Sequence, residues 1–220
     1  MHTRYEVKGK RVKSTTTLIG EHLGWGNYQL IAWTRKHCLN GKDSREMFKE
    51  AGLIGTLAHS LIEKFVRDVY DSDKDEVVFN IEEHSTETYT QANNAFLGFC
   101  RWLDTKKGKV CFVETELQMV SDKYGYGGTC DAMCYIDGKL WLVDYKTSNN
   151  VYDSHYIQVA AYRQHWNESN PTVKIKKVMI LKLSKEDIHF EEHILPCSKL
   201  DWGWKIFKLI LKLEKLAKEK

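Results

Sequence analysis

"GGTCDAMCYIDGKLWLVDYKTS", Gly127 to Ser148, is two apolar runs joined by Asp137-Gly138. An Asp-Gly pair between such runs signals a type I′ hairpin turn, because both residues tolerate the positive φ that the turn needs and its twist suits antiparallel strands. Counting outward from the turn sets Ile136 opposite Lys139, Met133 opposite Leu142 and Asp131 opposite Asp144. Two carboxylates about 5 Å apart across a strand pair destabilise it unless something cationic compensates. Alternation puts Lys146 on the face of Asp144 and sends Trp141, Val143 and Tyr145 to the other. Cys130, Ala132 and Cys134 likewise turn away from Asp131, toward a core. One face is then apolar, and the other holds two carboxylates and an amine.

Two readings of that polar face stand open on the residues alone. A divalent cation relieves the repulsion, since hard oxygen ligands suit Mg²⁺ or Mn²⁺ and the ion reverses the local charge argument. Alternatively, Lys146 neutralises Asp144 in an ordinary ion pair and Asp131 stands exposed near a sheet end.

Further motifs lie in order along the chain. "STTTL" covers Ser14–Leu18, "GTLAHSLIEKF" places His59 in a helical pattern, and "CFVETELQMV" offers Glu114 and Glu116 on one strand. Asp131 ends "GYGGTCD", Asp144-Tyr145-Lys146 forms a D-x-K element in "LVDYKTS", and Gln158 and Tyr162 bracket "QVAAY". Together these resemble the PD-(D/E)XK nuclease superfamily, particularly its RecB-like exonuclease branch and, in the S-x-T-T segment, small phage and mitochondrial genome-maintenance exonucleases. D-x-K alone is weak, and the ordered set is what carries the resemblance.

The resemblance implies an α/β fold, a restriction-endonuclease-like αβββαβ core with a mixed central sheet and a helical N-terminal extension. It implies one nuclease domain over 1–220, with a basic arm and helical cap over 1–106 and the catalytic core and C-terminal helix over 107–220. Asp131 and Asp144 are then expected to hold Mg²⁺ or Mn²⁺, with His59 and the Tyr145 backbone carbonyl as further ligands; an imidazole ligand leans toward Mn²⁺. Glu116 is chosen over Glu114 by its distance from the G-x-x-D segment, to bind a second metal or position water. Parity does not separate the two glutamates. Lys146 is expected to orient and stabilise charge on the phosphate. Gln158 and Tyr162, i,i+4 partners, are expected to position DNA and buttress the hairpin.

The implied activity is a metal-dependent DNA exonuclease that prefers single strands with free ends. Trp25, Tyr28 and Trp33 are candidates for stacking on bases. Alternatives are a duplex-end-processing recombination nuclease, a structure-specific endonuclease, and a non-catalytic DNA-binding module on the same fold. A recombination or replication protein is a candidate partner.

Composition agrees without adding a site. The chain has 220 residues, a net charge of +3 and two prolines, enough length for one substantial core. A pI of 8.4 does not by itself indicate nucleic-acid binding. Distribution says more, since Arg4–Lys13 holds five basic residues and one acid. That segment reads either as a phosphate-contacting arm or as an edge hairpin turning at Lys8-Gly9 and guarded by lysines. Six cysteines without a C-x-x-C pair argue against a zinc module and predict reduced, mostly buried thiols. The four-cysteine iron–sulfur cluster of some relatives lacks its terminal cysteine grouping here. No apolar run long enough to span a bilayer and no signal peptide is read, so the expected location is cytoplasmic, in a bacterium or phage-infected host, ahead of mitochondrial.

Periodicity predicts helices near 27–38, 44–70, 86–106 and 153–168, strands near 109–120, 125–136, 139–147, 173–184 and 187–194, and a final helix. Asp43 and Glu46 resemble a capping box, and Gly52 and Gly55 are candidate interruptions of the helix behind them. The last helix is amphipathic, with Lys205, Lys208, Lys212 and Lys215 off its apolar positions.

Overall fold

Helix and strand periods decide most of the architecture, which a computed structural model describes for residues 3–24, 27–39, 41, 43–70 and 85–219. An N-terminal hairpin pairs β1 (Tyr5–Val7) with β2 (Lys10–Val12). Its turn lies at Lys8-Gly9, as the sequence suggests, with φ of 50° and 72°. Helix α1 (Thr15–His22) follows, a helix that the run of threonines conceals, because β-branched residues lose χ1 freedom in helices. Ser14 caps it by accepting the Thr17 N–H at 3.0 Å.

Helices α2 (Asn27–Leu39), α3 (Ser44–Tyr70) and α4 (Thr86–Thr105) come next. Asp43 caps α3, its Oδ1 accepting from the N–H groups of Arg45 at 2.7 Å and Glu46 at 3.3 Å. Gly52 and Gly55 do not interrupt α3. A Cβ on Gly55 would lie 3.4 Å from Thr147 Oγ1, so the small residue lets the helix approach the end of the Asp137-Gly138 hairpin. Ser85 caps α4 by accepting the Thr88 N–H at 3.2 Å.

The remaining elements are β3 (Val110–Ser121), β4 (Tyr126–Ile136), β5 (Lys139–Lys146), α5 (Asp153–Ser169), β6 (Lys177–Leu183), β7 (Phe190–Ile194) and α6 (Cys197–Ala217). The sheet order is β3-β4-β5-β6-β7. Only β5 and β6 run parallel, so α5 is the crossover that a parallel pair requires. The run α4-β3-β4-β5-α5-β6 is the expected αβββαβ core. Two strands are shorter than expected for local reasons. Before β6, the Ile175 N–H donates to Asn167 on α5 at 2.7 Å, which holds the chain on the helix and off the sheet. Before β7, the Ser184 hydroxyl accepts from Glu186 and Asp187 N–H groups at 3.3 Å and turns the chain.

Both sheet faces are covered. Ile54, Leu57 and Ile62 of α3 and Phe99 and Trp102 of α4 pack on Val143, Tyr145, Met179 and Leu181. On the other face, Met133, Leu142, Val178 and Ile180 meet Val159 and Tyr162 of α5 and Leu200 of α6. Large side chains buried this fully contribute roughly 1.5–3 kcal/mol each. The face onto which Asp144 alternates with Leu142 is therefore apolar further along, not polar throughout. Buried thiols are fewer than expected. Cys130 and Cys134 are buried, Cys100 is half-buried, and Cys38, Cys111 and Cys197 are exposed, all as free thiols.

Candidate metal centre where two strands part

The hairpin closes at Asp137 and Gly138, with φ of 49° and 72°, and keeps the expected register from Ile136↔Lys139 to Ala132↔Val143. There the ladder stops, one pair short of the aspartates. β5 continues beside β6 as far as Lys146↔Lys182, so it leaves β4 at the point where the two acids sit. Asp131 does not form a ladder pair with Asp144; its Oδ2 instead accepts the Tyr145 N–H at 2.6 Å. This corrects the simple cross-strand picture. Residue alternation also breaks here, since Cys130 packs on the α5 side and Ala132 on the α3 and α4 side. The expectation that Cys130, Ala132 and Cys134 share one face fails at Cys130.

A second irregularity faces the break from β3, at Glu116. Its φ is 49°, in the left-handed region, inside a strand. Among the described residues, the other non-glycine residues with positive φ, Lys8, Lys107 and Asp137, each precede a glycine of positive φ in a turn. A non-glycine residue so placed costs of order 1–3 kcal/mol and persists only where its surroundings enforce it. The pairing of β3 with β4 skips Glu116 and Asp131, passing from Thr115↔Ala132 to Leu117↔Cys130, and a further register shift lies between Phe112 and Glu114. Glu114 is thereby set opposite Met133, and the two glutamates no longer share the relation that simple parity assigns.

His59 of α3 completes the group. Its Nδ1 lies 3.5 Å from Asp131 Oδ1 and 4.0 Å from Glu116 Oε1, and one ligand atom from each of His59, Glu116 and Asp131 lies within 4.8 Å of the others. The His59 ring meets Tyr145 edge-on at 5.8 Å. Asp144 is wholly buried. Its Oδ2 is held by the Lys146 ammonium at 2.5 Å, while Oδ1 has no partner among the described residues.

Acidities follow from this crowding. Burial pushes the Asp144 carboxyl up, as does Asp131, and against the pull of Lys146 it rises to about 6. Burial also lifts Glu116, with Asp131 and Glu63 adding to it and His59 and Arg67 opposing, to about 7. Asp131 goes the other way: burial would raise it, but His59, Lys146 and the Tyr145 N–H hold it low. Burial alone would lower His59, yet Asp131 and Glu116 carry it up to about 9. Lys146 is raised because Asp144 and Asp131 outweigh its burial.

Gln158 and Tyr162 lie together on α5, the Gln158 amide donating to the Tyr162 hydroxyl at 3.0 Å. Tyr162 is buried against Gly128, where an added Cβ would come within 2.4 Å of its ring. Two neighbours were not singled out from sequence. Arg67, 2.5 Å from Glu63 across one turn of α3, bears on Glu116; the spacing of His59, Glu63 and Arg67 by one helical turn each was the available signal. His155, one turn before Gln158, is held neutral: burial and Lys146 push it down to about 3. The Tyr152 N–H donates to its Nδ1 at 3.3 Å. Trp25 lies outside the described residues, as do the side chains of Tyr28 and Trp33.

No family model and no curated protein matches the chain. Among solved structures it is similar to a "Putative exonuclease" from Eubacterium rectale, with a TM-score of 0.47 and 15% identity over 76% of this chain and 68% of that one. It is also similar to the protein SSO0001, with a TM-score of 0.31 and 16% identity over 70% of this chain and 74% of that one.

Proposed function

We propose that this chain is a metal-dependent deoxyribonuclease of the RecB-like PD-(D/E)XK type, which hydrolyses phosphodiester bonds of single-stranded DNA from a free end. The observation that carries the reading is the buried Asp144 carboxylate, whose Oδ2 meets only Lys146 and whose Oδ1 meets nothing, close enough to Asp131 and His59 of the His59, Glu116 and Asp131 group to feel their charges. A buried carboxylate left so poorly satisfied is costly unless it serves a ligand. Several carboxylates and one imidazole suit Mg²⁺ or Mn²⁺.

In this reading His59, Asp131 and Asp144 hold the ion, with Glu116 and the Tyr145 carbonyl beside them. The ion supplies Lewis-acid polarisation of the phosphodiester and acidifies water. Lys146, kept cationic by two acids, orients the phosphate and stabilises charge that develops on its oxygens. Glu116, whose acidity sits near neutrality, is placed to accept a proton from the attacking water. Gln158 meets the strand, while Tyr162, buried, fixes the glutamine. Residues 1–106 act as arm and cap and 107–220 as the core of one nuclease domain, in a cytoplasmic setting.

A time course on end-labelled linear and circular single strands and on linear duplex, each with Mg²⁺, Mn²⁺ or chelator, tests the reading. Metal-stimulated loss of nucleotides from linear single strands, with circles spared, is the expected result. Cleavage of circles points to an endonuclease, faster attack on duplex ends to a recombination nuclease, and binding with no hydrolysis in any metal sinks the enzymatic reading.

A further inference from the structure

The basic segment Arg4–Lys13 takes no part in the metal centre, yet the fold sets it beside that centre. Its register sorts the side chains: Tyr5, Val7, Lys10 and Val12 share one face of the hairpin, and Glu6 and Arg11, cross-strand neighbours, share the other. Lys13 is engaged by Glu21 at 2.6 Å and Glu214 at 3.0 Å. Arg4, Lys8, Lys10 and Arg11 are exposed and, among the described residues, enter no ion pair. The hairpin thus carries four cations with no ion pair among the described residues and a single acid, Glu6, on a chain whose net charge is only +3.

The hairpin is anchored on β4. Tyr5 is buried, a Cβ on Gly127 would lie 2.2 Å from its ring, and its hydroxyl shares a 2.7 Å hydrogen bond with Thr129 Oγ1. Gly128, between them, meets Tyr162 of α5 instead. Gly127 and Thr129 thus face the hairpin, while Gly128 and Cys130 face α5. The next residue in the hairpin-facing row is Asp131, reached by His59. Two residues of strand, about 7 Å, separate the hairpin's anchor from the carboxylate group. Protection of an edge needs a lysine or two, but does not require that the cations be tied to the strand that bears Asp131.

We propose that the β1–β2 hairpin binds the phosphodiester backbone of the strand that enters the metal centre, with Lys8, Lys10, Arg11 and Arg4 as its phosphate contacts. The identity of the bound strand rests on the nuclease reading above. The charge is sequence-independent in its attraction, as tracking along a backbone requires.

The test is equilibrium binding of a fluorescent single-stranded oligonucleotide over a salt series, with chelator present so that no hydrolysis intervenes. K8E/K10E is expected to weaken binding and to make the dependence of log K on log salt shallower by about 1.4, since each phosphate of a single strand that a lysine neutralises adds about 0.7 to that slope. K8R/K10R should keep the parent slope. An unchanged affinity and slope in K8E/K10E overturns the proposal, as does an equal loss in K8R/K10R. Aggregation of K8E/K10E with affinity and slope retained assigns the lysines to edge protection and also overturns it. Because binding is read without turnover, failure of the nuclease reading shows separately, as absent metal-stimulated hydrolysis in the parent protein.

Discussion

Among the described residues, two groups of one histidine and two carboxylates bring ligand atoms within 4.8 Å of one another: His59, Glu116 and Asp131, and Glu21, His22 and Glu214. By residue type they are the same. In the second, Glu214 Oε2 accepts from His22 at 2.8 Å and from Lys13 at 3.0 Å, while Lys13 and Lys218 stand 3.0 Å and 2.9 Å from Oε1. Three cationic or donor groups surround one carboxylate and clasp α1 to α6. Beside the first, Asp144 has one ammonium on Oδ2 and no partner on Oδ1. The carboxyl acidities move oppositely. Hydrogen bonds from His22, Lys218 and Lys13 hold Glu214 down to about 2, whereas burial drives Asp144 up to about 6. Ligand-type side chains do not make a metal site: both Glu214 oxygens are held by cations, whereas Asp144 Oδ1 meets none, and a buried lone pair so left is what a ligand relieves.

The sharpest way to break this contrast is turnover. Asp131→Asn, Asp144→Ala and Lys146→Ala are each expected to slow hydrolysis of end-labelled single strands by about a hundredfold or more, the scale for losing one charge-stabilising group. Glu214→Gln should leave the rate close to that of the parent. Normal turnover by Asp144→Ala removes the site.

Metal binding gives the next largest effect. Mn²⁺ added to chelator-treated protein at a hundred times its dissociation constant stabilises the fold by about 2.7 kcal/mol, a rise in melting temperature of roughly 5–10 °C. Asp131→Asn should lose that rise and Glu214→Gln should keep it. The reverse pattern moves the ion to the clasp between α1 and α6.

The pH dependence of metal-free stability separates the two carboxylates by sign. Asp144, raised from 3.8 to about 6, favours the fold while protonated, so its contribution is present below its unfolded value and is lost as pH rises through about 6. Glu214, lowered from 4.5 to about 2, contributes above its unfolded value and loses that contribution as pH falls toward 2. Urea midpoints across pH should show Asp144→Asn flattening the decline between roughly pH 4 and 6, and Glu214→Gln flattening the acid limb instead. A profile moved at the same end by both variants contradicts the contrast. The smallest effect belongs to Glu21→Gln, which removes the exposed arm of the Lys13 pairing and should leave the urea midpoint close to that of the parent.

Much of the site was legible because it is local. Asp137-Gly138 sets the turn, and the turn sets the register as far as Ala132↔Val143. The D-x-K element puts Lys146 beside Asp144 by period-two alternation, and the helical spacing of Gln158 and Tyr162 makes their hydrogen bond. Helix α1 was hidden by its threonines, although Ser14 three residues before Thr17 was a visible capping signal. The clasp was not legible at all, because Lys13 and His22 lie near one end of the chain and Glu214 near the other.

By itself, then, the sequence determined the order of elements, the hairpin and the residues that could bear chemistry, since turn sterics and side-chain period act over a few neighbours. Tertiary structure alone decided where β5 leaves β4, that Glu116 turns into the left-handed region to join His59 and Asp131, and that Asp144 is buried with its Oδ1 unpartnered. Each of these depends on how separate elements pack and exclude water, and desolvation is a property of the assembled fold rather than of any short stretch of it.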